Sequence, residues 1–577
     1  MGFVVASEAL KSAAARWGMQ MIVRSTGVAA AAVLALHTAP ARAQVQPGGE
    51  PPVPRLIVTV VIDQFGSDLF NQYRPVFTGG LRALADEGVV YPNGYQTHGM
   101  TETCPGHSTV LTGVHPNRTG IAANDWIDRA TGEEIYCLAA PANRLADGGE
   151  GENGPVGPDN LRATGLGDWL KAADPGGRVF AVSGKDRGAI NLAGSHADGT
   201  FWWADGFGFT TYLRPGEAAE ERLRPVAALN ATLRARMETQ PTLWEPMQGR
   251  CADLAGDWRI GDGVFHSTTP PQRLVVDTSP VLDELTIEAA ITLLREQGLG
   301  RGPATDLLGV SLSGTDRIGH RYGSQGPEMC QQMLRLDSAL GRLIGALRDI
   351  PGTLVVLTAD HGGSDFAERL EARGYPEAGR MAADLMDRLN AGVRDRFGLA
   401  FDPLRADGSN IYVMGTDAVM PESLRSRIAA AAAEMLRAEP GVVEAFTLDE
   451  LLSTPSAARN IHPDLLDVRE RISLSTSPVR SADVIFALEP GMTPFPGAVG
   501  GYLAGHGTPW DYDRRVPIIF WSAGQVGQER TLPVRTVDIA PTLANAAGIP
   551  APADLDGRCL ALTSRTRSCP VEAATDR

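Results

Sequence analysis

The sequence predicts an α/β sandwich: a mostly parallel central sheet flanked by helices, with insertions. Continuous apolar, β-branched runs at 56–62, 179–182, 307–312, 354–357 and 517–521 lack polar alternation, the pattern of strands buried on both faces. Helical patterns at 280–297, 327–348 and 537–547 lie between or after them, as crossover-connected parallel strands require. A third regularity points toward function. Asp63 follows the first run, Lys185 the second, Asp316 the third and Asp360 the fourth. Ligands of open α/β sheets bind beyond the carboxyl ends of the strands, so these residues predict one shared site.

From the N-terminus, Arg24, the apolar stretch 28–36 and Ala41-Arg42-Ala43 before Gln44 have the form of an export signal, with Met19 and Met21 as alternative starts. Residues 1–43 are therefore expected to be a signal peptide and the mature chain to be periplasmic or secreted. The stretch is too short to span a bilayer and no later run qualifies, so no membrane span is expected after cleavage. Residues 44–54, rich in Pro, Gly and Gln, read as a mobile leader. The catalytic domain is expected over 55–577, with insertions at about 209–272 and 375–477 that form cap or side elements.

Of the 577 residues, 43% are hydrophobic and 21% charged, values ordinary for a folded enzyme. A net charge of −16 argues against a nucleic-acid polymer as partner, because a phosphate backbone requires a basic footprint. Any anionic substrate must be attracted locally. Six cysteines give an even count in an exported chain, and Cys559 with Cys569, close together in sequence, is the favoured bridge.

Two segments have metal-ligand spacing. Asp316 and His320 stand four residues apart, and Asp360-His361-Gly362-Gly363 follows an apolar strand. Either alone is more often a surface hydrogen-bonding pair than a ligand set. Together with Asp63 and with His506 of Gly505-His506-Gly507-Thr508 they supply mixed imidazole and carboxylate ligands suited to zinc, enough for two ions. In Thr103-Cys104-Pro105-Gly106-His107, Thr103 would stand near a helix N-terminus, where amide groups and the helix dipole favour an anion. Read by itself, Thr103 is better explained as an N-cap.

In order and spacing, Asp63, the Thr-x-Pro-Gly-His segment, Asp316 with His320, Asp360 with His361, and His506 resemble the alkaline phosphatase superfamily. The match runs from about residue 55 to about residue 550. Within it the chain looks like the monomeric periplasmic alkaline phosphatases with a threonine nucleophile, and it is similar to the nucleotide pyrophosphatase/phosphodiesterases. The resemblance implies two zinc ions, one held by Asp316, His320 and His506 and the other by Asp63, Asp360, His361 and the Thr103 oxygen. It implies Thr103 as nucleophile, Asn124 on a phosphoryl oxygen, and Lys185 and Arg187 as the basic pair of the monoesterase branch. Small phosphate monoesters are the implied substrates of a monomeric enzyme. A phosphodiesterase or nucleotide pyrophosphatase is the alternative enzyme, and an inactive, metal-stabilised binding protein the alternative of another class. A sulfatase with a modified Cys104 would need arginine where His107 stands. Cys104 is expected to be buried or disulfide-bonded.

Overall fold

The computed structural model describes residues 52–239, 244, 249–268, 276–416, 420–456, 459–498, 501–563 and 566–570. The expected signal peptide and nearly all of the leader lie outside the described residues.

The apolar runs become the middle of one sheet. Its strands in chain order are β1 (Leu56–Ile62), β2 (Val89–Tyr95), β3 (Val179–Ser183), β4 (Gly199–Ala204), β5 (Gly208–Thr210), β6 (Asp306–Leu312), β7 (Thr353–Thr358), β8 (Arg515–Trp521), β9 (Gln528–Glu529) and β10 (Val534–Arg535). They lie in the order β9-β2-β8-β7-β1-β6-β3-β4-β5, with β10 beside β2. The block β7-β1-β6-β3-β4 is parallel throughout. β8 runs antiparallel to both of its neighbours, β7 and β2. Its apolar run reports burial on both faces, which carries no information about direction.

Alternate residues of β1 enter opposite cores. Leu56, Val58, Val60 and Ile62 pack with α3 (Val281–Glu296) and α5 (Pro327–Arg348) on one face. Ile57 and Val61 pack on the other with α1 (Thr103–Thr112), α2 (Asp186–Ala193) and α6 (Ile539–Ala547). All seven residues of β1 are buried, and each large aliphatic side chain so placed contributes roughly 1.5–3 kcal/mol. A second, antiparallel sheet orders residues 404–407, 410–413, 484–488 and 442–447, with helices Leu385–Phe397 and Glu422–Leu436 over it.

Register sets the site. Ile62 pairs with Leu312, Val61 with Thr358, and Ser311 with Ser183. Three parallel strands and their neighbour therefore end level, and Asp63, Lys185, α4 (Gly314–Tyr322) and Asp360 all leave from one edge.

Candidate active site

At that edge two groups of ligand-type side chains converge. Asp63, Asp360 and His361 form one, all fully buried. His361 Nε2 lies 3.4 Å from Asp63 Oδ1 and 3.6 Å from Asp360 Oδ2. In the other, His320 Nε2 lies 3.2 Å from both Asp316 Oδ1 and His506 Nε2, and His506 Nε2 is 3.4 Å from Asp316 Oδ1. The rings of His361 and His506 stack at 3.7 Å, so the two groups adjoin.

The donor set fits divalent cations. His361 Nδ1 faces the Gly362 carbonyl at 2.8 Å, His320 Nδ1 that of Ala504 at 2.9 Å, and His506 Nδ1 that of Thr101 at 2.7 Å. A carbonyl can only accept, so each Nδ1 carries a proton and each Nε2, the atom that would bind a cation, is turned inward. Asp63 Oδ1, Asp316 Oδ1 and His361 Nε2 are buried and have no hydrogen-bond partner. Such groups are costly to bury unless paired or bound to a metal. Burial and the nearby His506 hold His361 well below the usual imidazole range, which keeps it neutral. Burial and the Asp63 charge push Asp360 up to about 7. Burial also acts to raise Asp316, but the Lys185 and His320 charges outweigh it and leave that carboxyl well below the usual range.

Local geometry explains each placement. Asp63 is held by its amide on the Leu312 carbonyl, 2.9 Å, and is followed by Gln64 with φ +61°. The Gln64 and His361 amides donate to Asp360 Oδ1, at 3.2 and 2.9 Å. Asp360 Oδ2 is then 3.0 Å from His107 Nδ1, within the Thr-x-Pro-Gly-His segment. Thr103 occupies the first position of α1 and is buried. Gly106 brings that helix against the aspartate: a Cβ there would stand 2.2 Å from the Asp360 carbonyl oxygen.

Asn124 is tied to the same helix. Its Oδ1 accepts from the Cys104 amide, 2.8 Å, its amide donates to Glu102 Oε2, 2.6 Å, and its carbonyl accepts from Cys137, 2.7 Å. Cys104 and Cys137 are disulfide-bonded, so the sulfur beside Thr103 is buried and carries no free thiol. The other bridges are Cys251–Cys330 and Cys559–Cys569, the last as sequence proximity favoured. Lys185 is 3% exposed, and its Nζ lies 2.6 Å from Asp63 Oδ2 and 2.5 Å from Asp316 Oδ2, joining one carboxylate of each group. Arg187 reaches the Tyr136 hydroxyl at 3.5 Å, and that hydroxyl donates to Asp186 at 2.7 Å. The six carboxylate and imidazole side chains predicted as ligands therefore come together, with Thr103, Asn124 and Lys185 on the elements that enclose them.

The family model of type I phosphodiesterase / nucleotide pyrophosphatase matches residues 57–493. The chain belongs to this family. It thereby falls within the alkaline phosphatase superfamily, as the motifs indicated. Alkaline phosphatase PhoD of Zymomonas mobilis subsp. mobilis is 40% identical over 532 residues, 90% of each chain. Alkaline phosphatase PhoK of a Sphingomonas species is 38% identical, over 89% of this chain and 91% of that one. The crystal structure of alkaline phosphatase PafA superposes with a TM-score of 0.77 over 90% of this chain and 100% of that one; at 24% identity this likeness speaks for the fold.

Several supporting residues of this family member were invisible to motif reading. Asp283 on α3 is 1% exposed and accepts from the Gly314 amide, 2.8 Å, and from Gln332 Nε2, 2.7 Å. Gln332 also donates to Thr315 Oγ1 at 3.1 Å. Together they pin the first turn of the helix that carries Asp316 and His320. Asp513 accepts from the Thr508 amide and hydroxyl, at 2.9 and 2.7 Å, and so fixes the loop of His506. An aspartate within an amphipathic helix gives no sequence signal of such a role, whereas His107 lay inside a motif already under scrutiny. Among the described residues no helix is long and apolar enough to cross a membrane.

Proposed function

We propose that this chain hydrolyses phosphate monoesters, with Thr103 as nucleophile and two zinc ions as cofactors. The observation that carries the proposal is the pair of adjoining groups, each combining carboxylate with imidazole and both within reach of His361, at the strand ends near the helix that Thr103 begins. The naming of the relatives at 40% and 38% identity as alkaline phosphatases supports the monoester assignment. Asp63, Asp360, His361 and the Thr103 oxygen would hold one ion, and Asp316, His320 and His506 the other. When bound, two such ions place positive charge at the attacking and departing oxygens of an in-line displacement.

The chain's own residues supply the rest. Thr103 attacks phosphorus from the first turn of α1, where backbone amides and the helix dipole favour the incoming anion. A phosphothreonine forms, the alcohol leaves, and water releases phosphate from Thr103 in the second half. Asn124, whose carboxamide oxygen is engaged by Cys104, offers Nδ2 hydrogens to a phosphoryl oxygen. Lys185 and Arg187 complement the second negative charge that distinguishes a monoester from a diester, because phosphoryl transfer is governed by positioning and electrostatics. Burial of Lys185 between two aspartates also makes it a spacer that keeps their charges compatible.

The family's description favours a phosphodiesterase or nucleotide pyrophosphatase as the second reading. Comparing kcat/KM for an aryl phosphate monoester and its matched diester decides between them. A monoester preference is expected, and a diester preference would reverse the assignment. The export signal, the monomeric state and the insertions at 209–272 and 375–477 complete the proposal: a monomeric periplasmic or secreted enzyme whose side elements enclose the site.

A further inference from the structure

Beside the site lies a cavity of about 450 Å³ whose wall includes Lys185 and Arg187 together with Glu152, Trp202, Asp205, Asp277 and Arg317. It is joined to the ligand groups by two contacts. Arg317 stands on α4 next to Asp316, and its Nη1 lies 3.3 Å from the Tyr502 hydroxyl. The Tyr502 ring stacks on His320 at 4.9 Å, with its other side toward solvent. A group leaving from the Asp316, His320 and His506 side therefore has this cavity next to it.

The chemistry of the wall is selective. Arg317 is shared between Asp277, 3.3 Å, and Glu152, 3.4 Å. Lys185 and Arg187 are the cations already assigned to the phosphoryl group. Asp205 accepts from Trp203 Nε1 at 2.6 Å and keeps further acceptor capacity. The wall therefore combines carboxylate acceptors with the tryptophan ring, and its cations are engaged by carboxylates or reserved for phosphate. Hydroxyl groups donate to such carboxylates, and the C–H face of a sugar or polyol packs on an indole. A second anionic group would meet the carboxylates instead.

We propose that this cavity is a subsite for the alcohol half of the ester, complementary to an uncharged, hydroxyl-rich alcohol; the proposal rests on the monoesterase reading above. It makes Trp202, Asp205 and Glu152 specificity residues that touch the departing alcohol and take no part in the chemistry at phosphorus. A small ester such as methyl phosphate does not reach them.

The test uses the zinc-loaded enzyme and three substrates: methyl phosphate, glucose 6-phosphate and 6-phosphogluconate, the open-chain counterpart of the sugar phosphate in which C1 is a carboxylate. Wild type should favour glucose 6-phosphate over 6-phosphogluconate by about tenfold in kcat/KM, the scale expected for one added like charge in a partly screened site. The exposed pair Glu152→Gln with Asp205→Asn should shrink that preference to about twofold and leave methyl phosphate within about twofold of wild type. Trp202→Ala should slow glucose 6-phosphate about tenfold with methyl phosphate again unchanged. Equal kcat/KM for glucose 6-phosphate and 6-phosphogluconate in wild type, or variants that slow methyl phosphate as much as the sugar ester, would overturn the subsite. Failure of wild type to hydrolyse any of the three would instead overturn the monoesterase reading on which it stands.

Discussion

Replacing Asp283 by asparagine should change how stability depends on pH. The side chain is 1% exposed, and burial pushes its pKa from 3.8 up to about 7 against the opposing Gly314 and Gln332 hydrogen bonds. The folded protein thus keeps the Asp283 proton in a range where the unfolded chain has lost it. Stability from this group is fully present below the unfolded pKa and is lost as pH rises toward and through about 7. Between pH 5 and pH 7 the loss is two pH steps of about 1.4 kcal/mol, or about 3 kcal/mol. Asparagine keeps the shape and an acceptor for Gly314 but cannot ionise, so it lacks this loss. At about 2.1 cal/mol/K per residue the unfolding entropy of a chain this long converts 1 kcal/mol into roughly 1 °C. Thermal midpoints of Asp283→Asn and wild type, measured side by side at pH 5 and pH 8, should therefore shift relative to one another by roughly 2–3 °C in favour of the variant at pH 8. A difference that stays constant with pH would show that Asp283 is ionised throughout and that the argument from burial fails.

Replacing Lys185 and Arg187 together by alanine should slow monoester turnover far more than diester turnover, because a charged hydrogen bond is worth about 1.5–3 kcal/mol, one to two powers of ten in kcat/KM; equal losses would make the pair a general anion site. Gly106→Ala places a methyl group 2.2 Å from the Asp360 carbonyl oxygen and should cost about 1–3 kcal/mol in stability and most of the activity, measured by thermal melting and aryl phosphate assay. A chelator should abolish activity and added zinc restore it, with elemental analysis of active enzyme giving about two zinc ions per chain.

The sheet was legible wherever burial on both faces left an uninterrupted apolar run: β1, β3, β6 and β7 agree with the predicted runs to within a residue or so. β2 escaped notice because Pro92 and Asn93 interrupt it, with a register shift between Tyr91 and Gly94. β4 was hidden by its glycine and paired tryptophans, a composition that fits a loop as well as a strand. Asp63, Asp360 and His361 could be read because they follow strands, and Asp316 with His320 because of their helical spacing; His506, in a loop, was legible only through its Gly-His-Gly-Thr motif. What could not be read depends on distant partners. Nothing local in Asp283 announces Gly314, nothing in Cys104 announces Cys137, and Lys185, which sequence alone allows as a solvated loop residue, is paired in the fold with Asp63 just after β1 and Asp316 on α4.

The role of Thr103 is tested most directly by quenching the enzyme in acid during turnover of an aryl phosphate and mapping phosphate by mass spectrometry. The account predicts phosphate on the peptide containing Thr103, at that residue, and no phosphopeptide with Thr103→Ala, which should retain its fold and lose turnover. Near-normal turnover in Thr103→Ala, or a wild-type enzyme that turns over without ever carrying phosphate, would contradict it and assign the attack to water.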